Sequence, residues 1–197
     1  MSRLVLATQN AHKVGELQEI LTAAGVDVEL VALPSDAPHV VEDELTFAGN
    51  AAKKARSAAA ATGLPAVADD SGLCVDALNG MPGIFSARWA GSHGDDAANL
   101  RLLLDQVGDV PDEHRGASFV CAAALALPSG EERVVEGRLV GRIVREPRGS
   151  GGFGYDPIFV PDGLDVTTAE MAPEDKNAIS HRGNAFRALA PVLRETI

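Results

Sequence analysis

Arg3-Leu4-Val5-Leu6-Ala7-Thr8-Gln9-Asn10-Ala11-His12-Lys13-Val14 carries an apolar run, a polar break and the first residue of a helical pattern. Arg3 to Ala7 has the short, continuous apolar character of a buried strand. Val14, Leu17, Leu21 and Ala24 then recur at helical spacing, and Gly25 supplies a stop. A strand, a polar loop at its carboxyl end and a helix form the opening unit of an α/β protein, and such loops commonly hold ligands.

The pattern continues outward from there. Val28 to Leu33 reads as a second strand and Pro34 to Pro38 as a loop. Thr46 caps an expected helix to about Ala61, ended by Gly63-Leu64-Pro65. Ala66 to Ala68 reads as a strand running into Asp69-Asp70-Ser71-Gly72, and Leu73 to Ala77 stays apolar. Asp95 to Val107 is an amphipathic helix with Leu100, Leu103, Leu104 and Val107 on one side. Ser118 to Leu127 and Glu132 to Val140 flank Pro128-Ser129-Gly130 as a hairpin, which Ile143-Val144 would extend. Tyr155 to Val160 reads as a short strand. A last helix is expected from Ser180 to about Arg194, loosened by Pro191. The fold class is α/β, a mixed β-sheet flanked by helices in a single domain over residues 1–197.

Composition narrows the function classes. The 197 residues carry a net charge of -11, which argues against gripping a nucleic acid or an anionic membrane surface. A small polyanion is still open to it, because a few Lys and Arg plus a metal hold one locally. Aromatics are only 4%, so the core must rest on Ala, Val, Leu and Ile. Cys74 and Cys121 make no disulfide framework, and His12, His39, His93 and His114 have no metal-ligand spacing. The apolar N-terminal stretch is too short for a signal peptide and no run approaches a membrane span, so the expected location is cytoplasmic.

Five segments carry chemistry. The adjacent carboxylates of Asp69 and Asp70 would repel one another unless paired. Mg²⁺, which takes one or two carboxylates plus substrate phosphates, would remove that problem; a solvated turn is the alternative. Glu42-Asp43-Glu44 is a second acidic cluster or a surface loop. Thr8 to Lys13 puts backbone donors and a lysine at a helix start, where an anion is favoured, or is simply an ordinary capped helix. Gly149-Ser150-Gly151-Gly152-Phe153-Gly154 matches GxGxxG, but strand-like residues follow it instead of a helix, so it reads as a ligand-approaching loop and not a dinucleotide fingerprint. Phe153 and Tyr155 either stack on a flat base or pack in the core. Lys176 and Ser180-His181-Arg182-Gly183 offer donors to a base, or a solvated helix face.

These segments together resemble the inosine/xanthosine triphosphate pyrophosphatases. The matching stretches are Ala7 to Lys13, Thr46 to Ala51 with Lys54-Ala55, Ala68 to Leu73, Pro82 to Arg88, Gly151 to Phe159 and Ser180 to Gly183. The resemblance implies hydrolysis of ITP, dITP and XTP to the monophosphate and pyrophosphate. It also implies an elongated fold of two lobes with an active-site cleft between them, a Mg²⁺ requirement and a homodimer. Carried over by position, Thr8, Gln9, Asn10, Ala11, His12 and Lys13 would hold the triphosphate, and Glu42 and Asp70 the metal. Asp69 or Asp70 would activate water, and Ser71 would contact substrate. Phe153, Gly154, Tyr155, Asp156, Lys176, His181 and Arg182 would hold the purine. Two departures stand out: Gly49 where family members often carry Glu, and Lys53 beside Lys54. The rival readings are a pyrophosphatase for modified pyrimidine or methylated nucleotides, and a non-catalytic nucleotide-binding module.

Overall fold

The computed structural model describes residues 2–8 and 11–197, without the side chains of residues 11 and 12. Gln9, Asn10 and the side chains of Ala11 and His12, expected at the triphosphate, therefore lie outside the described residues. The strands are β1 (Ser2–Leu6), β2 (Val28–Ala32), β3 (Ala66–Val75), β4 (Met81–Pro82), β5 (Gly116–Ala126), β6 (Glu132–Ile143) and β7 (Phe159–Pro161). The α-helices are α1 (Ala11–Ala23), α2 (Phe47–Thr62), α3 (Asp96–Gln106), α4 (Pro173–Ile179) and α5 (His181–Thr196). The sheet is mixed, in the order β2-β1-β3-β5-β6-β7, with β4 on β3. β1 pairs parallel with β2 and β3, whereas β3–β4 and β6–β7 are antiparallel. Among the described residues, no helix is long and apolar enough to cross a membrane.

The chain divides into two compact units, each made of separate stretches. The first comprises Met1–Asp70, Cys121–Gly137 and Arg182–Ile197. Its core joins Leu4 and Leu6 of β1, Leu17 and Leu21 of α1, Val67 of β3, Cys121 of β5 and Phe186 and Leu189 of α5. Gln18 locks α1 to β2 at both ends of its amide, donating to Val28 O at 3.0 Å and accepting from Leu30 N at 2.8 Å. α2 buries Ala51, Ala52, Ala55, Ala58 and Ala59, small residues that let a helix lie close to its neighbours. Thr46 caps it by accepting from Gly49 N, and Gly63 ends it in the left-handed conformation that favours glycine.

The second unit comprises Ser71–Val120 and Arg138–His181. Its core gathers Leu73, Val75, Leu103, Val107, Phe119, Ile143, Ile158 and Phe159. Arg115 is buried there and donates to the carbonyls of Val107 and Ile143, replacing water for backbone groups that would otherwise be orphaned.

Several elements differ from the expectations. Asp69-Asp70-Ser71-Gly72 does not end a strand; β3 runs unbroken through it to Val75. The segment from Tyr155 begins with a 3-10 turn over Asp156–Ile158, and only Phe159–Pro161 is extended. α4 was not expected, and α5 continues through Pro191 to Thr196.

Candidate functional site

The position of the aspartates follows from where β1 stops. β1 and β3 pair in register at Val5 with Ala66 and Leu6 with Val67, and Ala7 N donates to Val67 O at 2.8 Å. Beyond Val67 the parallel partner has ended. β3 is buried from Ala66 to Ala68 and becomes partly exposed at Asp69, Asp70 and Ser71. The pair thus lies past the carboxyl end of a parallel strand, where α/β sheets open to ligands.

Successive side chains on a strand point to opposite faces. Asp69 shares the face of Val67, which packs with α1 and α5, and meets Arg182 of α5. Nε of Arg182 donates to Oδ2 of Asp69 at 2.9 Å, with the two side chains 14% and 11% exposed. Burial acts to raise the Asp69 carboxyl, but Arg182, Lys13 and Lys54 outweigh it and hold the carboxyl below the ordinary carboxylate range. The same pairing raises the Arg182 guanidinium. Sγ of the buried Cys121 lies 3.9 Å from Asp69 Oδ2, and burial together with the Asp69 charge pushes its thiol far up.

Asp70 takes the other face and meets α2. Its Oδ2 accepts from Asn50 Nδ2 at 3.0 Å, and its Oδ1 is 3.8 Å from Lys54 Nζ. Lys54 Nζ also donates to Glu42 Oε1 at 2.6 Å. Glu42 and Asp70 therefore share one cation. Lys53 is turned to Asp43. Both departures from the family pattern thus bear on the segment carrying Glu42. At Gly49 an added Cβ would lie 2.8 Å from Glu44 Cβ.

Among the described residues, no group of three or more His, Cys, Asp or Glu is arranged to hold a metal. The donor set present is smaller: two carboxylates, Glu42 and Asp70, converging on the Lys54 ammonium. That set suits Mg²⁺, a hard cation that keeps several waters and takes substrate phosphates as further ligands.

A second cluster belongs to the other unit. Asp156, 4% exposed, organises the glycine loop. Its Oδ2 accepts from Phe153 N at 2.8 Å and Lys176 Nζ at 2.5 Å, and its Oδ1 from Thr168 Oγ1 at 2.8 Å. Gly152 has φ +70°, and a Cβ there would run into the Asp156 carboxylate. The Phe153 ring is 69% exposed, with Lys176 Nζ 5.2 Å from its centre. Tyr155 belongs to the core and its hydroxyl donates to Ser86 O at 2.8 Å, so its ring is not a free stacking surface. Gly154 N donates to Asp96 Oδ2 at 2.8 Å. His181 stacks on Phe119 with ring centres 5.0 Å apart.

The structure thus gathers Asp69, Asp70, Glu42 and Arg182 in one group, and Phe153, Asp156 and Lys176 in another. Sequence reasoning gave no role to Asn50, Thr168 or Asp96, although Asn50 lies in the matching stretch Thr46 to Ala51 and stands four residues before Lys54, on the same side of a helix.

A mixed α/β sheet that carries paired carboxylates and cations past the end of a parallel strand has the setting of an α/β ligand site. The chain belongs to the Ham1 family, whose family model matches residues 4–192. It is 63% identical to a dITP/XTP pyrophosphatase of Streptomyces coelicolor, over the whole of both chains. A crystal structure of a nucleoside-triphosphatase, dITP/XTP pyrophosphatase, from Mycobacterium abscessus is 57% identical; it covers 98% of this chain and 100% of its own, at a TM-score of 0.82. A HAM1 protein from Coxiella burnetii matches over 100% of both chains at 44% identity and a TM-score of 0.91. The resemblance read from six segments is borne out, as is the α/β class.

Proposed function

We propose that this chain hydrolyses deaminated purine nucleoside triphosphates, dITP, XTP and ITP, to the monophosphate and pyrophosphate, within one domain over residues 1–197. Membership of the Ham1 family and relatives named dITP/XTP pyrophosphatases support the reaction class. The observation that carries the assignment of roles is the unequal treatment of the two aspartates. Asp69 is committed to Arg182 and held in its charged form, which makes it a poor proton acceptor. Asp70, on the opposite face, sits with Glu42 at a shared cation.

In this reading a water oxygen attacks the α-phosphorus, Asp70 takes its proton, and the α–β bridging bond breaks to release pyrophosphate. Lys13 and Lys54 hold phosphate oxygens, and Thr8 and Ser71 orient the chain of phosphates. Mg²⁺, held by Glu42 and Asp70, would neutralise charge on those oxygens. Phe153 offers its exposed face to the purine. Gly154, Lys176 and His181 supply donors to carbonyl oxygens where adenine has an amino group, while Asp156 and Tyr155 shape the loop and Arg182 is kept by Asp69. A mismatch of buried hydrogen bonds gives discrimination on the order of 10⁴-fold. The chain is further proposed to act as a homodimer, which sedimentation tests directly; a monomer at working concentrations removes that part.

The test is pyrophosphate release from ITP, dITP, XTP, GTP and ATP, with and without Mg²⁺. The deaminated substrates should be cleaved far faster than ATP and only with the metal, and Asp70→Asn should lose at least about 10²-fold in kcat, as loss of a general base does. Equal rates on all five, or an active Asp70→Asn, would refute the reading.

A further inference from the structure

Asn50 is 2% exposed, and both ends of its amide are engaged. Its Oδ1 accepts from Glu44 N at 3.0 Å and its Nδ2 donates to Asp70 Oδ2 at 3.0 Å. The orientation follows from the partners, because a backbone N–H can only donate and a carboxylate can only accept. One side chain therefore spans from the backbone of the Glu42–Glu44 segment to the carboxylate on β3. One turn further along α2, Lys54 links the side chains of the same two segments, Glu42 and Asp70. Packing supplies an independent indication. Gly49 lets the Glu44 side chain press on the first turn of α2, where any Cβ would crowd it. Gly49 also leaves that turn without the acidic partner that would complete a capping box with Thr46. The segment is thus held to the helix by Asn50 from its backbone, and by Lys53 and Lys54 from its side chains.

We propose that Asn50 is a positioning residue for the cation site, setting the distance between Glu42 and Asp70 by tying the Glu44 backbone to the Asp70 carboxylate. The proposal rests on the reading of Glu42 and Asp70 as metal ligands. Lys54 cannot do this alone, because its flexible ammonium bonds in many geometries, whereas the planar amide of Asn50 fixes direction at both ends. A group that orients ligands from behind is worth about 10- to 100-fold in metal affinity.

Three variants of behaviour are measured on the full chain: amide hydrogen exchange at Glu44, Mn²⁺ binding by electron paramagnetic resonance without nucleotide, and thermal unfolding. Asn50→Ala should speed Glu44 exchange by at least about tenfold, as expected for losing a buried acceptor. It should also weaken Mn²⁺ binding by about 10- to 100-fold. Asn50→Asp keeps the acceptor for Glu44 and removes the donor to Asp70, so Glu44 should stay protected in it; this arm serves even where Asn50→Ala does not fold. Unchanged Glu44 exchange in a folded Asn50→Ala, unchanged Mn²⁺ affinity in that variant, or lost protection in Asn50→Asp overturns the proposal. Absence of metal-dependent pyrophosphate release from the unaltered chain sinks the functional reading instead, and the exchange at Glu44 still reports on the tether.

Discussion

Arg182→Met removes the guanidinium from Asp69 while keeping most of the aliphatic stem. The pair is tight, 2.9 Å between Nε and Oδ2, and nearly closed to water, with side chains 14% and 11% exposed. Two opposite charges about 4 Å apart attract by roughly 4 kcal/mol at an effective dielectric of 20. Deleting one member of a buried pair commonly costs about 3–5 kcal/mol, because the survivor keeps its desolvation penalty. Lys13 and Lys54 still face Asp69, so the lower end, about 3 kcal/mol, is expected at pH 7. The sign with pH follows from linkage. Asp69 has a depressed folded-state pKa, so its contribution is complete above the unfolded value of about 3.9 and is lost as pH falls through the folded value. In the variant the depression is relieved, and its folded state takes up a proton first. The gap between the two proteins should therefore be flat from pH 7 to about 5 and then close by up to about 1.4 kcal/mol per pH unit. Denaturant unfolding at pH 7, 5, 4 and 3 measures it, with Asp69→Asn and the double variant completing a cycle whose coupling should reach at least about 2 kcal/mol. A gap under about 1 kcal/mol at pH 7, or one that does not narrow below pH 4, would refute the assignment of a buried ion pair.

Lys176→Met should raise KM for XTP by about tenfold or more with a smaller change in kcat, since it strips a charged donor from Asp156 and the cation from the Phe153 ring; steady-state kinetics with an unchanged KM would count against any role at the base. Gly152→Ala places a Cβ against the Asp156 carboxylate at positive φ and should cost at least about 1–3 kcal/mol in thermal unfolding, and an unaltered Tm would contradict the loop geometry. Cys121 is buried with its thiol pushed far up, while Cys74 is half-buried, so iodoacetamide followed by mass spectrometry should label Cys74 first in the native chain and reach Cys121 only on unfolding.

Local signals made most of the framework legible. The opening strand and helix are marked by an apolar run, helical spacing and Gly25, and α2 by Thr46 and Gly63, each a short-range device that needs no partner. What escaped depends on distant contacts. Asp156 closes a turn through Phe153 N and Thr168, so an apolar Pro157-Ile158-Phe159 that looks extended starts as a 3-10 turn. α4 has seven residues, too few to show apolar periodicity, although Pro173 with Glu174 and Asp175 is an ordinary helix start. Arg182 sits 113 residues from Asp69. Its sequence neighbours suggest a donor for a base, and nothing local reveals that its Nε is turned to a carboxylate.

The unbroken course of β3 explains how adjacent carboxylates coexist and why they are not equivalent. A turn would have placed both in water and left them interchangeable. A strand instead sends them to opposite faces, where each meets a different helix and a different cation. The partners differ in kind. Arg182 is a rigid, always charged fork in a nearly closed setting, well suited to keeping Asp69 ionised and still. Lys54 is a flexible point charge already shared between Asp70 and Glu42, and so can be exchanged for a stronger cation without leaving a carboxylate unpaired. The face with the exchangeable cation is the one on which chemistry can turn over. The face with the fixed cation supplies the stationary charge that positions it. On this argument Asp69→Asn should lower stability and shift the Asp70 environment, whereas Asp70→Asn should abolish turnover with little change in Tm; the reverse pattern in paired kinetic and thermal measurements would exchange the two roles.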